Sequence, residues 1–250
     1  KLYEVVTAGL GGTGYRGPPG TPRVPTDREA KIIPLPYNLW ILRQMEEICR
    51  LGRNNAIDLV GDFGDGKNYL ALLFVRMRNQ GHRLISCHPR MTERHLYQWD
   101  KIEIDADGKK TTIWMPSEFI EGMKAGDLVI FDEFDKLDPT VKPLLNAALQ
   151  KGEVFLPETG EYVRFHRHAR VITLRNKTGG INRGGTLTGA DVQDRFISIG
   201  VDYLPEDEEL ALLRSEAPQV PIDILQRLVK LASAIRGNYR SRRPTLPGPV

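Results

Sequence analysis

The segment that most restricts the fold is IDLVGDFGDGKN, residues 57–68. An apolar run ends in glycine, Gly61, Gly64 and Gly66 follow in quick succession, and a helix-forming stretch starts at Lys67. Strand, glycine loop and helix in that order let a backbone wrap a phosphate. Glycines turn the N–H groups inward, and the helix amino terminus adds partial positive charge. Gly61, Asp62, Phe63, Gly64, Asp65, Gly66, Lys67 and Asn68 are therefore read as a phosphate-binding loop, with Lys67 reaching the β- and γ-phosphates. The residue after the lysine is ordinarily serine or threonine, whose hydroxyl ligates Mg2+. Asn68 replaces it with an amide oxygen on a longer arm, able to ligate a hard cation. That change bears on turnover rather than on binding. Asp62 and Asp65 suit a polyphosphate only if their side chains point to solvent. A second glycine-rich string, GPPGTP at residues 17–22, has no Gly-Lys pair after it and no apolar strand before it, and is rejected.

Further along, four apolar residues, Leu128 to Phe131, lead into Asp132 and Glu133. Carboxylates delivered to the carboxyl end of a parallel strand sit where such folds bind ligands. Asp132 is assigned to the Mg2+ shell with Asn68, and Glu133 to orienting and polarising an attacking water. A strand at Val171–Leu174 ends in Arg175-Asn176, where the Asn176 amide is placed to sense a γ-phosphate. Arg195, in Asp194-Arg195-Phe196, is placed to reach a neighbouring subunit's nucleotide as an arginine finger.

The spacing of apolar residues predicts a helix over 37–51, a strand over 56–60, a helix over 67–78 and a strand over 83–87. It continues with a strand over 127–131, a helix over 139–150, a strand over 170–174, a short helix over 190–196, a strand over 197–201 and a helical tail from Glu206. Residues 101–114 alternate around Asp107-Gly108, and residues 154–165 turn at 158–160; both read as β-hairpins inserted into the α/β rhythm. The expected architecture is an α/β parallel sheet sandwiched by helices. Residues 1–33 form a Gly/Pro-rich, flexible arm, residues 34–204 the nucleotide-binding core, and residues 205–250 a small helical lid.

These motifs together resemble the AAA+ ATPases, P-loop NTPases, and within them the MoxR-like branch that includes the CbbQ and NorQ activators and the small subunit of cobalt chelatase. The likeness runs from Pro34 to Glu209. It rests on VGDFGDGKN as Walker A, DLVIFDEFD as Walker B, VITLRN as the sensor-1 strand and ADVQDRFISIGVDYLPEDEE as the arginine-finger helix leading to the lid. Residues 85–114, which include the first hairpin, resemble that branch's insertion in the second helix, and residues 152–165 its hairpin before sensor 1. The resemblance implies ATP and Mg2+ as cofactors, a homo-oligomeric ring, a hexamer, with ATP between subunits, and chaperone-like remodelling of a partner protein. It also implies work with a von Willebrand A-domain protein. The chain departs from the pattern at Asn68, at Arg175, where a small residue is commoner, and in the lid, where Arg236, Arg240, Arg242 and Arg243 offer no placeable sensor-2 arginine.

The charge balance, 35 basic against 32 acidic residues, is too even to indicate nucleic acid or membrane as a partner. Two cysteines without paired spacing argue against disulfides or zinc, and no apolar run reaches the roughly 18 residues of a membrane helix. A soluble, cytoplasmic protein is expected. Arg164, His166, Arg167, His168 and Arg170 cluster after the second hairpin, as a solvated or interface surface or as a grip on nucleic acid or an acidic peptide. Three functions remain in view: a remodelling ATPase, a nucleic-acid translocase of the same fold, and a nucleotide-gated scaffold in which Asn68 slows hydrolysis.

Overall fold

Five apolar runs pair side by side as a parallel sheet: β1 (Ala56–Gly61), β2 (His82–Ser86), β5 (Leu128–Asp132), β8 (Arg170–Asn176) and β9 (Phe196–Gly200). Their order is β2-β5-β8-β1-β9. This computed structural model describes residues 2–10, 14–52, 56–104, 107–177 and 195–241. Parallel strands need crossovers, and the helices that supply them cover both faces. Successive side chains of a strand point to opposite faces, so Ile57, Leu59, Ile130, Ile172 and Leu174 pack in one core with α2 (Pro36–Leu51) and α3 (Lys67–Arg78). Val129, Phe131 and Val171 pack in the other, with α5 (Glu118–Ala125) and α6 (Lys142–Lys151). In α2, Ile41, Leu42, Met45 and Ile48 form the buried helical stripe. Phe131 is fully buried against Phe119 and Phe134, and its truncation to Ala would cost roughly 3–5 kcal/mol.

The parallel sheet flanked by helices is the α/β architecture expected, and both insertions are hairpins: β3 (Gln98–Ile104) with β4 (Lys110–Pro116), and β6 (Glu153–Leu156) with β7 (Glu161–Arg164). Several boundaries shift. The helix expected from Pro139 begins at Lys142, because the Asp138 carboxylate takes the Thr140 N–H and hydroxyl at 2.8 and 2.6 Å and holds a turn there. Most of the short helix expected at 190–196 lies outside the described residues, and Phe196 opens β9. The short helices α1 (Leu2–Thr7) and α4 (Glu93–Tyr97) gave no periodic signal.

The Gly/Pro-rich segment does not project as a flexible arm. Residues 14–35 lie along α3 and the start of β2: Gly17 N–H donates to Arg78 O, Arg76 donates to Ala30 O, Tyr69 to Lys31 O, and His82 N–H to Arg23 O. A segment that cannot form a ladder still offers carbonyls, and long side chains of α3 take them. The tail forms α7 (Glu206–Glu216) and α8 (Ile222–Ser241). Glu208 of α7 accepts the Tyr37 N–H at 3.0 and 3.2 Å, an acid at the amino end of α2 that ties the helical tail to α2. Cys49 and Cys87 are buried and form no disulfide, and burial raises both thiols, Cys87 to about 12. No helix among the described residues is long and apolar enough to cross a membrane.

Candidate functional site

The glycine loop joins β1 to α3 at the carboxyl end of the sheet. Gly64 and Gly66 adopt φ 75° and 89°, the left-handed region that only glycine enters freely, and nothing lies within 4 Å of a Cβ added at either. Backbone conformation, not crowding, demands glycine there. At Gly61 the reverse holds: a Cβ would collide with the Asp65 carboxylate and with Val201 O.

Neither loop carboxylate meets the condition set from sequence, that its side chain point to solvent. Asp62 is 5% and Asp65 8% exposed. Lys67 Nζ donates to Asp62 O at 2.6 Å and to Asp65 Oδ1 at 2.9 Å, and the Lys67 N–H reaches the same Oδ1 at 3.2 Å. The loop is short enough that Asp65, two residues before the lysine, folds back into the space left by Gly61. Burial raises the Asp65 carboxyl above its ordinary range against the opposing pull of Lys67. Its second oxygen has no hydrogen-bond partner in the described structure.

Asp132 ends β5 on the same face as α3. Its Oδ2 accepts from Asn68 Nδ2 at 2.9 Å, and its Oδ1 from the Glu133 N–H at 2.8 Å. Asn68 thus turns its amide N–H, rather than an oxygen, to Asp132. Glu133 is left-handed, φ 53°, a strain of roughly 1–2 kcal/mol for a residue with a Cβ. It accepts from Lys136 Nζ at 2.5 Å. Asn176 ends β8, its N–H donating to Asp135 Oδ1 at 3.2 Å. Residues 63–69, Asp132, Glu133 and Asn176 line one cavity of about 480 Å³. Arg195 is not brought to it. Its carbonyl accepts the Ala56 N–H at the amino end of β1, the opposite end of the sheet. The unexpected Arg175 is explained by Asp58, a buried β1 carboxylate that binds it at 2.8 Å together with Thr173 and Ser198.

On the other flank of the loop a cavity of about 190 Å³ lies between Tyr37, Asn38, Tyr203 and the tail residues Glu209, Leu212 and Arg236. Here Arg236, unplaced from sequence, makes two 2.7 Å bonds to Glu209, its guanidinium 4.4 Å over the Tyr203 ring. No local pattern marks it, because its partners come from 27 and 33 residues away.

The donor set fits a nucleotide carried with Mg2+. The open glycine cradle suits a phosphate chain, the cavity falls within the usual small-ligand range, and Mg2+ is commonly held by one or two carboxylates plus phosphate oxygens. Among the described residues no group of three or more His, Cys, Asp or Glu could hold a metal by itself.

Residues 57–196, more than half of the chain, match the family described as the AAA domain, dynein-related subfamily. The chain belongs to that family. AAA+ ATPases in general bind nucleotide, typically with Mg2+, and hydrolyse it. The chain is 26% identical to an uncharacterised protein of Staphylococcus epidermidis, over 73% of this chain and 69% of that one. It is 27% identical to midasin of Dictyostelium discoideum, over 88% of this chain but 4% of midasin. It is 25% identical to von Willebrand factor A domain-containing protein 8 of Mus musculus, over 71% of this chain and 10% of that protein. A candidate ATPase from Cytophaga hutchinsonii has the same fold, with TM-score 0.51 at 17% identity, over 70% of this chain; this chain spans 49% of that structure.

Proposed function

We propose that this AAA-domain protein hydrolyses ATP, assembles as a homo-oligomeric, hexameric ring, and uses the cycle to remodel or activate a partner protein or metalloenzyme, as in the MoxR-like branch. The observation that carries this reading is the single cavity joining Lys67, Asn68, Asp132, Glu133 and Asn176 at the ends of three adjacent strands. In it, the loop amides and Lys67 would hold the phosphate chain, Asp132 would hold Mg2+, joined by the Asn68 oxygen once that amide gives up its N–H bond to Asp132, and Asn176 would contact the terminal phosphate. Bound Mg2+ would neutralise charge on the phosphate oxygens. Glu133 orients a water for in-line attack and draws on its proton. Arg195, at the far end of edge strand β9, acts only on a neighbouring subunit's nucleotide, which is why the site needs a ring. The mouse relative is named for a von Willebrand A domain, and that supports a partner of this kind here.

The test is phosphate release with Mg2+ and ATP. Glu133→Gln should abolish turnover while ATP affinity stays within a few-fold; undiminished release in that variant would overturn the assignment. A second reading, a nucleotide-gated scaffold, is favoured by one observation: Lys67, Asp132 and Glu133 are each engaged by a neighbouring side chain, Asp65, Asn68 and Lys136. ATP binding without phosphate release in the unaltered protein would select it.

A further inference from the structure

The basic cluster after the second hairpin does not form one surface. Arg164 lies on β7 beside Glu153, whereas Arg167, His168 and Arg170 turn toward a cavity of about 500 Å³ at the amino end of the sheet. Helices run opposite to the strands they cross, so the carboxyl ends of α2 and α3 lie here too, bringing Arg50 and Arg78. The packed arm adds Tyr15 and Arg16. Tyr15 stacks on His168, centroids 3.8 Å apart and planes 15° apart, and forms one wall.

The charge in this cavity is unbalanced. Its one carboxylate, the fully buried Glu46, is shared by Arg78 at 2.7 Å and Arg50 at 3.3 Å. Arg16, Arg167 and Arg170 have no ion pair among the described residues. Arg170 is 7% exposed, and its guanidinium donates to the carbonyls of Cys49, Arg167 and Ala169 at 2.7–2.9 Å and to the Cys49 side chain, with no carboxylate among these partners. Its Nε has no hydrogen-bond partner in the described structure. A cation removed from water without an anion costs several kcal/mol, and the negative ends of α2 and α3 offset only part of that.

We propose that this cavity is a second ligand site, separate from the glycine loop, for a small anion bearing several phosphate charges, such as an oligophosphate chain, free or on a nucleotide. Guanidinium forks match phosphate oxygens in pairs. Three guanidinium groups without carboxylates call for several negative charges in a volume that admits only a small ligand. β8 joins the two sites, with Arg170 at this end and Asn176 at the other, so the sites lie about 20 Å apart at 3.3 Å per residue. His168 reports the field: burial, then Arg167, His166, Arg170 and Arg78, push its pKa down to about 4.

The test uses the full chain carrying Lys67→Ala, which disables the glycine loop, and calorimetric titration with inorganic tripolyphosphate and, separately, with ATP. At least one should bind, and adding Arg16→Ala and Arg167→Ala, both at exposed positions, should weaken that binding at least tenfold. The same two substitutions in the otherwise unaltered protein should leave Lys67-dependent ATP binding unchanged. Saturation should also raise the His168 pKa seen by NMR, which a purely structural cluster would not show. The proposal is overturned if neither probe binds the Lys67→Ala chain, or if the double substitution leaves affinity unchanged. It is equally overturned if a single-stranded oligonucleotide binds where tripolyphosphate and ATP do not. Failure here leaves the ATPase reading standing, since that depends on Lys67.

Discussion

The two ends of β8 handle negative charge in opposite ways. At the carboxyl end, α3 begins at Lys67, so backbone amides and the positive end of a helix are on hand, and the chain adds a single lysine among carboxylates. At the amino end, α2 and α3 terminate, the helix ends are negative, and cationic character must come from side chains, which is why five arginines converge there. The difference teaches that an anion site made of backbone occupies one contiguous stretch, whereas one made of side chains draws on distant segments. The first needs room and conformational freedom; the second needs buried charges held rigidly in place.

The sharpest break of this contrast comes from Glu46→Ala. Stranding the buried Arg78 should cost roughly 3–5 kcal/mol of stability, read by urea denaturation; a loss below about 1 kcal/mol would mean that Glu46 does not anchor the arginine end. Next in size, Lys67→Ala should weaken ATP binding about a hundredfold, about 2.7 kcal/mol, with the fold retained. Unchanged affinity by fluorescence titration would remove the glycine loop from the argument. Asp65→Ala should act in the opposite direction, raising ATP affinity about tenfold, because the carboxylate on Lys67 competes with phosphate; weaker binding would show that Asp65 instead organises the loop.

The smallest effect concerns pH. The folded protein keeps His168 neutral down to about 4, against an ordinary value of 6.5. The unfolded chain therefore takes up the proton first as pH falls. Stability from this residue is complete above about pH 6.5 and is lost on the way to about pH 4. His168→Gln should flatten the stability profile across that window, and an identical slope would show that His168 is solvated at the arginine end. Partial exposure keeps the effect modest.

Much of the carboxyl end was legible in sequence because each part is local. The helix expected over 67–78 is Lys67–Arg78 as found, and the central strands begin and end within two residues of expectation. Asp132, Glu133 and Asn176 follow directly from apolar runs that must end somewhere, and parallel strands end together. The inward turn of Asp65 was not legible, since it depends on the space above Gly61 left by the neighbouring Val201 strand end. The folded-down arm was missed for a similar reason: Gly and Pro signal what a segment cannot build, not what will bind its carbonyls.

By itself, the sequence determined the α/β sheet and the glycine loop between β1 and α3, because hydrophobic period and glycine placement act over a few residues. Tertiary structure alone decided that Arg236 meets Glu209 and Tyr203, that Asn68 donates to Asp132, and that Arg78, Arg167 and Arg170 share one cavity. Those contacts join segments tens of residues apart, and only the folded sheet sets the distances at which charges attract or compete.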